Sequence, residues 1–276
     1  MAQLVPLPEV ERLSASVIRI LGGNPGKFTL QGTNTYLIGR GHQRILIDTG
    51  EGKPTWAARL ESVLSEEKAT VHQALLTHWH HDHVNGLSDL LRICPQAQVF
   101  KHQPDDGQTD IQDGQVFRVE GATLTATHTP GHTVDHMAFV IEEEDAMFTG
   151  DIYLNSLHRM RDRVTGRGYP GHGAVLEKAS ARISEYIQHR QQREDEVLRV
   201  LRYGQLDISV EDPSPERKAW TPLELVKQIY RGVPESLHLP ASHGVLQVLM
   251  KLEDEGQTVH DSESGEWRLS GEKSAL

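Results

Sequence analysis

The sequence predicts an α/β fold in which two β-sheets pack face to face and are covered by helices, followed by a small helical module. Strand-like segments dominate the first half of the chain, and amphipathic helical segments separate some of them. Several of these strands end on histidine or aspartate beside a glycine or a turn. Strands separated by helices and hairpins are typical of a layered α/β sandwich rather than a barrel.

The predicted elements follow one another along the chain. Apolar or β-branched runs predict strands at 15–21, 33–39, 44–50, 73–78 and 97–102. Apolar residues at helical spacing predict helices at 55–67 and 86–93. Two hairpins follow, one at 113–132 that turns at Glu120-Gly121 and one at 137–151 that turns at an acidic run.

From residue 179 onward the pattern is helical. Residues 179–204 read as one long helix with a polar face, and a loop rich in proline and charge at 210–220 follows. Thr221 and Pro222 begin the next helix as N-cap and first helical residue, a further helix spans 244–256, and 257–270 resemble a two-stranded wing. We therefore predict a catalytic domain at 1–178 and a winged-helix-like module at 179–276.

Composition narrows the function classes. The 276-residue chain carries a net charge of −11, which disfavours nucleic acid as a partner. No apolar run approaches the roughly 20 residues that a bilayer-spanning helix needs, and the N-terminus lacks the features of an export signal, so we expect a cytoplasmic protein without a membrane partner. Cys94 is the single cysteine, so any metal must be held by imidazole and carboxylate groups.

The stretch "THWHHDH" at residues 77–83 concentrates metal-ligating side chains at the end of a strand. Residues two apart in an extended segment face the same side, so His78 and His80 can share one ion. Asp82 and His83 follow where the chain turns into a helix and can face a second position. His81 is expected to point away, because a single histidine is more often an ordinary surface or core residue.

Three further ligands come from later strand ends. His132 follows a Thr-Pro-Gly turn, Asp151 ends the strand "MFTGD", and His172 lies in the loop "YPGHG". Each alone is a weak signal, but with the cluster they complete two sites. We assign one ion to His78, His80 and His132, and a second to Asp82, His83 and His172, with Asp151 bridging.

Nitrogen and oxygen ligands without a thiolate favour Zn²⁺, two ions per chain, with manganese or iron as replacements. Two metals about 3.5–4 Å apart are a standard clamp for hydrolytic displacement. Asp48 and His136 could hydrogen-bond to ligand side chains from behind, although an ordinary structural role is equally compatible with both positions.

These motifs resemble the metallo-β-lactamase superfamily, whose αββα sandwich carries the same His-x-His-x-Asp-His motif and the later His, Asp and His. The stretches "GNPGKFTLQGTNTYLIG", "TPGHTVDHM" and "YPGHG" resemble its β-lactamase-like protein 2 branch. Within that branch, these stretches are most similar to the sequences of fungal thioesterases that release atrochrysone-type polyketides from the acyl carrier protein of a non-reducing polyketide synthase. The resemblance implies a dinuclear zinc thioesterase, with Asp82 orienting the nucleophile and shuttling its proton.

One segment departs from that pattern. Between Asp151 and Tyr169 this chain is shorter than its relatives, and a turn, a short helix at about 154–163 and a return through glycines would close it. Three explanations are open: a genuine variant with a more open site, a wrongly spliced or wrongly predicted gene, or a protein with weakened activity. An endoribonuclease of the same branch, a hydrolase of small thioesters and a metal-binding protein with reduced activity remain alternatives.

An acidic carrier protein could be recognised by a basic patch made of Arg159, Arg161, Arg163 and Arg167. A run of solvated surface charges accounts for these arginines as well.

Overall fold

A computed structural model describes residues 4–151, 160–161, 163–206 and 219–271. The chain divides into two compact units, residues 1–187 and 188–276. Most of the predicted short helix at about 154–163 and most of the predicted linker at 210–220 lie outside the described residues. Of the helices that are described, none is both long and apolar enough to cross a membrane.

The described residues of the first unit form two β-sheets. The larger sheet has seven strands in chain order: β1 (Val10–Arg12), β2 (Val17–Leu21), β3 (Asn34–Ile38), β4 (Gln43–Ile47), β5 (Thr70–Leu76), β6 (Gln98–Lys101) and β7 (Thr109–Asp110). β1 to β4 are antiparallel, and β4 to β7 are parallel. The carboxyl ends of β4, β5 and β6 therefore meet at one edge of the sheet.

The second sheet has five strands: β8 (Val116–Val119), β9 (Ala122–His128), β10 (Met137–Ile141), β11 (Ala146–Gly150) and β12 (Gly168–Pro170). The predicted hairpin turn at Glu120-Gly121 joins β8 to β9, with Gly121 at a φ of +76° that favours glycine. β11 and β12 are parallel, so Asp151 and Gly171 leave the same edge.

Apolar side chains from both sheets meet in a buried layer between them, which includes Tyr36, Ile45, Phe139 and Phe148. Helices α1 (Pro54–Glu67), α2 (His81–Val84) and α3 (Leu87–Ile93) follow β4 and β5, and Trp56, Leu60 and Leu90 pack on the outer face of the first sheet. The start of α4 (Ala179–Tyr203) packs against the second sheet through Ala179 and Ile183. Helix, sheet, sheet and helix thus form four layers.

The second unit is held by its own apolar core, which includes Leu201, Leu225, Leu249 and Trp267. Its elements are the remainder of α4, helices α5 (Pro222–Ile229) and α6 (His238–Asp254), and a two-stranded sheet of β13 (Thr258–Asp261) and β14 (Glu266–Leu269). Thr221 caps α5 in a capping box with Glu224. α6 begins at His238 rather than at the predicted residue 244, because the prediction rested on the close apolar spacing from Val245 onward and left out the preceding residues.

Candidate metal centre

The histidine-rich segment follows directly from the end of β5. Residues 74–76 of that strand are buried, and Thr77 and His78 continue into the interior at the sheet edge. His80 is the N-cap of α2, which places Asp82 and His83 on the first turn of that helix, both buried. His81 is exposed, and its Nε2 lies 3.8 Å from a carboxylate oxygen of Glu51.

We call His78, His80 and His132 the first cluster. One ring nitrogen from each lies within 4.8 Å of the others. His80 Nδ1 and His132 Nε2 are 2.9 Å apart, and the His78 ring meets both neighbouring rings edge-on. His132 reaches this cluster from the loop between β9 and β10, so segments next to both sheets contribute a candidate donor atom.

Asp82, His83 and His172 form the second cluster, again with one donor atom from each within 4.8 Å of the others. Asp82 Oδ2 lies 3.4 Å from His83 Nε2 and 3.3 Å from His172 Nε2. His172 follows β12, and its loop is tied to β3 because the Asn34 amide donates to the carbonyls of Pro170 and Gly173 at 2.8 and 2.9 Å.

Asp151 lies between the two clusters. Its Oδ1 is 3.6 Å from His83 Nε2, and its Oδ2 is 3.4 Å from both His132 Nε2 and His172 Nε2. Gly171 leaves room for this carboxylate, because a Cβ there would lie 2.4 Å from Asp151 Oδ1. The structure therefore brings all seven residues assigned from the sequence into one centre.

The donor set fits a bound cation. His78 Nε2 and His83 Nε2 are buried and have no hydrogen-bond partner in the described part of the chain. Leaving such polar atoms buried and unpaired is costly unless something else satisfies them. Their hydrogen-bonding partners lie on the other ring nitrogen, so both Nε2 atoms remain available to an ion.

Asp48 fixes those ring orientations from behind. It follows β4 in the left-handed region with a φ of +57°, and its Oδ2 lies 2.7 Å from His83 Nδ1. Oδ2 also accepts from the Thr77 hydroxyl at 2.9 Å, and that hydroxyl lies 2.9 Å from His78 Nδ1. Since the hydroxyl proton is directed to Asp48, His78 Nδ1 must donate, which leaves Nε2 of both histidines as the ligand atom.

His136 occupies a different position from Asp48. Its Nδ1 lies 2.8 Å from the Thr129 hydroxyl, and its ring centroid is 5.4 Å from that of His78. Burial lowers its pKa to about 4, so the ring is neutral. In the described residues His136 Nε2 has no hydrogen-bond partner, and the ring packs against His78 rather than hydrogen-bonding to it.

The two clusters differ in the protonation of their side chains: His78 in the first cluster is neutral, whereas His172 in the second is protonated beside two ionised carboxylates. Burial, and then the neighbouring histidines, lower the pKa of His78. Burial opposes ionisation of Asp82 and Asp151, but hydrogen bonds and charge from His172 outweigh it and lower both pKa values. Burial also disfavours protonated His172, yet its bonds to the two carboxylates raise its pKa to about 9. Binding of a cation would therefore displace a proton from His172.

Thr33 is a contributor that sequence reasoning missed. Its hydroxyl donates to Asp82 Oδ2 at 3.1 Å, and its backbone N–H donates to the Asn24 side chain at 2.9 Å. Thr33 lies in "GNPGKFTLQGTNTYLIG", just before β3. The stretch carried the resemblance, but nothing in it indicates a contact with a residue 49 positions later.

The family model described as "Metallo-beta-lactamase superfamily" matches residues 28–190, which is more than half of the chain. The chain belongs to this superfamily. A second family model, described as "Beta-lactamase associated winged helix domain", matches residues 221–267. The predicted αββα sandwich with a winged-helix-like module is thereby confirmed.

Curated relatives match almost the whole chain. An "Atrochrysone carboxyl ACP thioesterase" of Aspergillus chevalieri is 42% identical over 99% of this chain and 92% of its own length. The "Lactamase-like protein adaB" of Aspergillus niger is 42% identical over 97% of this chain and 89% of its own length. The first alignment spans 291 residues, more than the 276 of this chain, so that relative contains residues without a counterpart here.

Solved structures share the fold at low identity. A metallo-beta-lactamase family protein of Thermus thermophilus has a TM-score of 0.69 at 21% identity, over 94% of this chain and all of its own. A beta-lactamase domain protein of Burkholderia ambifaria has a TM-score of 0.71 at 16% identity, over 98% of this chain and 97% of its own. The metallo-β-lactamase fold implies a divalent metal, and the family together with the thioesterase relative identifies this chain as a metal-dependent hydrolase.

Proposed function

We propose that this member of the metallo-β-lactamase superfamily is a dinuclear zinc thioesterase that releases an atrochrysone-type polyketide acid from an acyl carrier protein. The observation that carries the reaction class is the pair of donor clusters that share Asp151. The substrate class rests on the thioesterase relative, which matches 99% of this chain.

The first cluster would hold one zinc ion and the second cluster the other, with Asp151 between them. Three imidazoles, and a carboxylate with two imidazoles, are donor sets that zinc accepts. Zinc ions in such a site supply a water nucleophile at neutral pH and polarise the substrate carbonyl.

Asp82 is the residue to which we assign proton handling. Its low pKa keeps it anionic, so it can accept a hydrogen bond from the attacking water and orient it. The Thr33 hydroxyl at 3.1 Å holds Oδ2 in place, which fixes the direction of the carboxylate. Asp82 would therefore orient the attacking water, take its proton as the bond to the carbonyl carbon forms, and pass that proton on to solvent or the departing thiolate.

A thioester suits a site of this kind. The leaving thiol has a pKa of about 8.5, so it can depart largely as thiolate without a strong general acid. An amine or alkoxide leaving group would need a proton delivered to it. The centre needs only to orient the water and the carbonyl.

Aromatic surface beside the centre supports an acyl group that is flat and apolar. Trp79 is 57% exposed, and its ring meets that of His80 at a centroid distance of 4.5 Å. Such a ring, in contact with a proposed metal ligand, can pack against a polyketide bound at the first cluster.

The carrier protein is the proposed partner. Of the arginines considered for its recognition, Arg159 lies outside the described residues, and Arg167 is paired with Glu177 at 3.0 Å. An acidic carrier would have to compete with Glu177 for that guanidinium.

The experiment is hydrolysis of a carrier-bound polyketide thioester by the zinc-loaded protein. His80→Ala should abolish turnover, because it removes a ligand of the first cluster. His81→Ala is the matched control: it changes the adjacent exposed histidine and should leave turnover unchanged. A single-stranded RNA substrate, tested beside the thioester, covers the endoribonuclease alternative. RNA cleavage without thioester hydrolysis would overturn the proposal.

A further inference from the structure

A buried ion pair joins the end of β6 to the loop before β10, close to the proposed metal centre. Lys101 ends β6 and lies opposite Leu76, immediately before Thr77 and His78. Its Nζ is 2.8 Å from Asp135 Oδ2, and the two side chains are only 4% and 2% exposed. A lysine and an aspartate are seldom buried to this extent unless they are paired.

The ammonium group also has two backbone partners. In addition to the ion pair with Asp135, it donates hydrogen bonds to the carbonyls of His102 at 3.2 Å and Gln103 at 2.8 Å. Gln103 adopts a left-handed φ of +54°, which turns the chain back over the lysine. In the described part of the chain Asp135 has no well-aligned hydrogen bond to either oxygen, so the ion pair compensates its burial.

Asp135 belongs to the loop 129–136, which delivers His132. The ends of that loop are closed by the Thr129 N–H, which donates to the His136 carbonyl at 2.9 Å. The next residue, Met137, donates its N–H to the Thr77 carbonyl at 2.8 Å. Because His78 and His80 come from one continuous segment, the geometry of the first cluster depends on where this separate loop holds His132.

We propose that the Lys101–Asp135 pair is a positioning device: it fastens the His132 loop to the edge of β6 and so sets the affinity of the first cluster for its ion. The inference rests on the proposed two-ion centre. Asp135 acts on His132 through the loop that carries both residues, and Lys101 acts through its ion pair with Asp135. A buried pair in itself adds little net stability compared with apolar residues, which suits a positioning role better than a stabilising one.

The test measures zinc affinity and stoichiometry by chelator competition, with metal content determined separately. Asp135→Asn and Lys101→Met should each lower the affinity for one of the two zinc ions by about 10–100-fold, which is the usual effect of losing a residue that orients a ligand. The affinity for the other ion should not change. The double variant Lys101→Met/Asp135→Asn leaves no unpaired charge, and its loss of zinc affinity should be no larger than that of the more affected single variant.

Lys251→Met is the matched control. Lys251 also pairs with a buried acid, Glu194, at 2.8 Å, but within the second unit. The Lys251→Met variant should bind both zinc ions with the affinity of the wild type. If a single variant fails to fold, the double variant decides the outcome, since neither charge is left buried alone.

His132→Ala separates the two claims. If it loses one ion, and the pair variants lose the same ion, the positioning role is supported. If His132→Ala loses an ion while the pair variants bind two ions with wild-type affinity, the positioning role is wrong and the centre stands. If His132→Ala changes neither ion, the proposed two-ion centre itself fails.

Discussion

The two donor clusters differ in how their side chains are held. The second cluster is supported close to each member: Thr33 donates to Asp82, Asp48 pairs with His83, and Asn34 ties the His172 loop. The first cluster takes His132 from a loop that is positioned from a distance, through residues such as Asp135. Ligands held by short, buried hydrogen bonds are already oriented before an ion arrives. We therefore expect the second cluster to be the more rigid and the first to be the more readily adjusted.

The largest effect is expected at the residue that both clusters share. Asp151→Asn removes a carboxylate charge that lies within 3.6 Å of three ligand nitrogens. Hydrolysis should fall by more than about a hundredfold, which exceeds the usual loss for a residue that only orients a ligand. Metal content should show that both ions are weakened. Loss of one ion with the other unchanged would mean that Asp151 serves a single cluster.

Asp48→Asn should weaken the second cluster more than the first. The amide can retain the left-handed backbone, but its oxygen cannot accept as strongly from His83 and Thr77 together. We expect zinc affinity to fall by about 10–100-fold at one ion. Asp145→Asn is the control, because Asp145 is also left-handed but lies in the turn between β10 and β11. Equal losses in both variants would contradict the role given to Asp48.

Thr33→Val should have a smaller effect, of about tenfold on turnover, because it removes the hydrogen bond that the hydroxyl donates to a charged oxygen of Asp82, together with the one that it accepts from Asn24. The measurement is kcat against KM for the carrier-bound thioester, and the loss should lie in kcat. Thr35→Val makes the same change two residues later, where the hydroxyl donates to the Ile20 carbonyl and accepts from Trp56. That control should lower stability without a selective loss of kcat.

The smallest effect is expected in the pH dependence of the chelated, metal-free protein. His172 has its pKa raised to about 9, so the stabilisation from its protonated form is fully present below its unfolded pKa of about 6.5. It is lost as pH rises through about 9. Unfolding midpoints of the wild type and His172→Gln should therefore converge between pH 6.5 and 10. A gap that widens over that range would contradict the assigned ion pairs.

Sequence patterns predicted the parts of the centre that depend on local spacing. The strand before His78 and the turn after His80 follow from residues next to one another, and His132, Asp151 and His172 each follow a strand and lie beside a glycine. Thr33 and Lys101 give no such signal. Thr33 meets a residue 49 positions later, and Lys101 pairs with Asp135 across two sheets, so both depend on tertiary packing.

The central claim is that the two clusters hold two ions that share Asp151. Anomalous diffraction at the zinc absorption edge from crystals of the zinc-loaded protein tests it most directly. The account predicts two peaks about 3.5–4 Å apart, one at the first cluster and one at the second, with Asp151 contacting both. A single peak, or a second peak away from Asp82, His83 and His172, would contradict it.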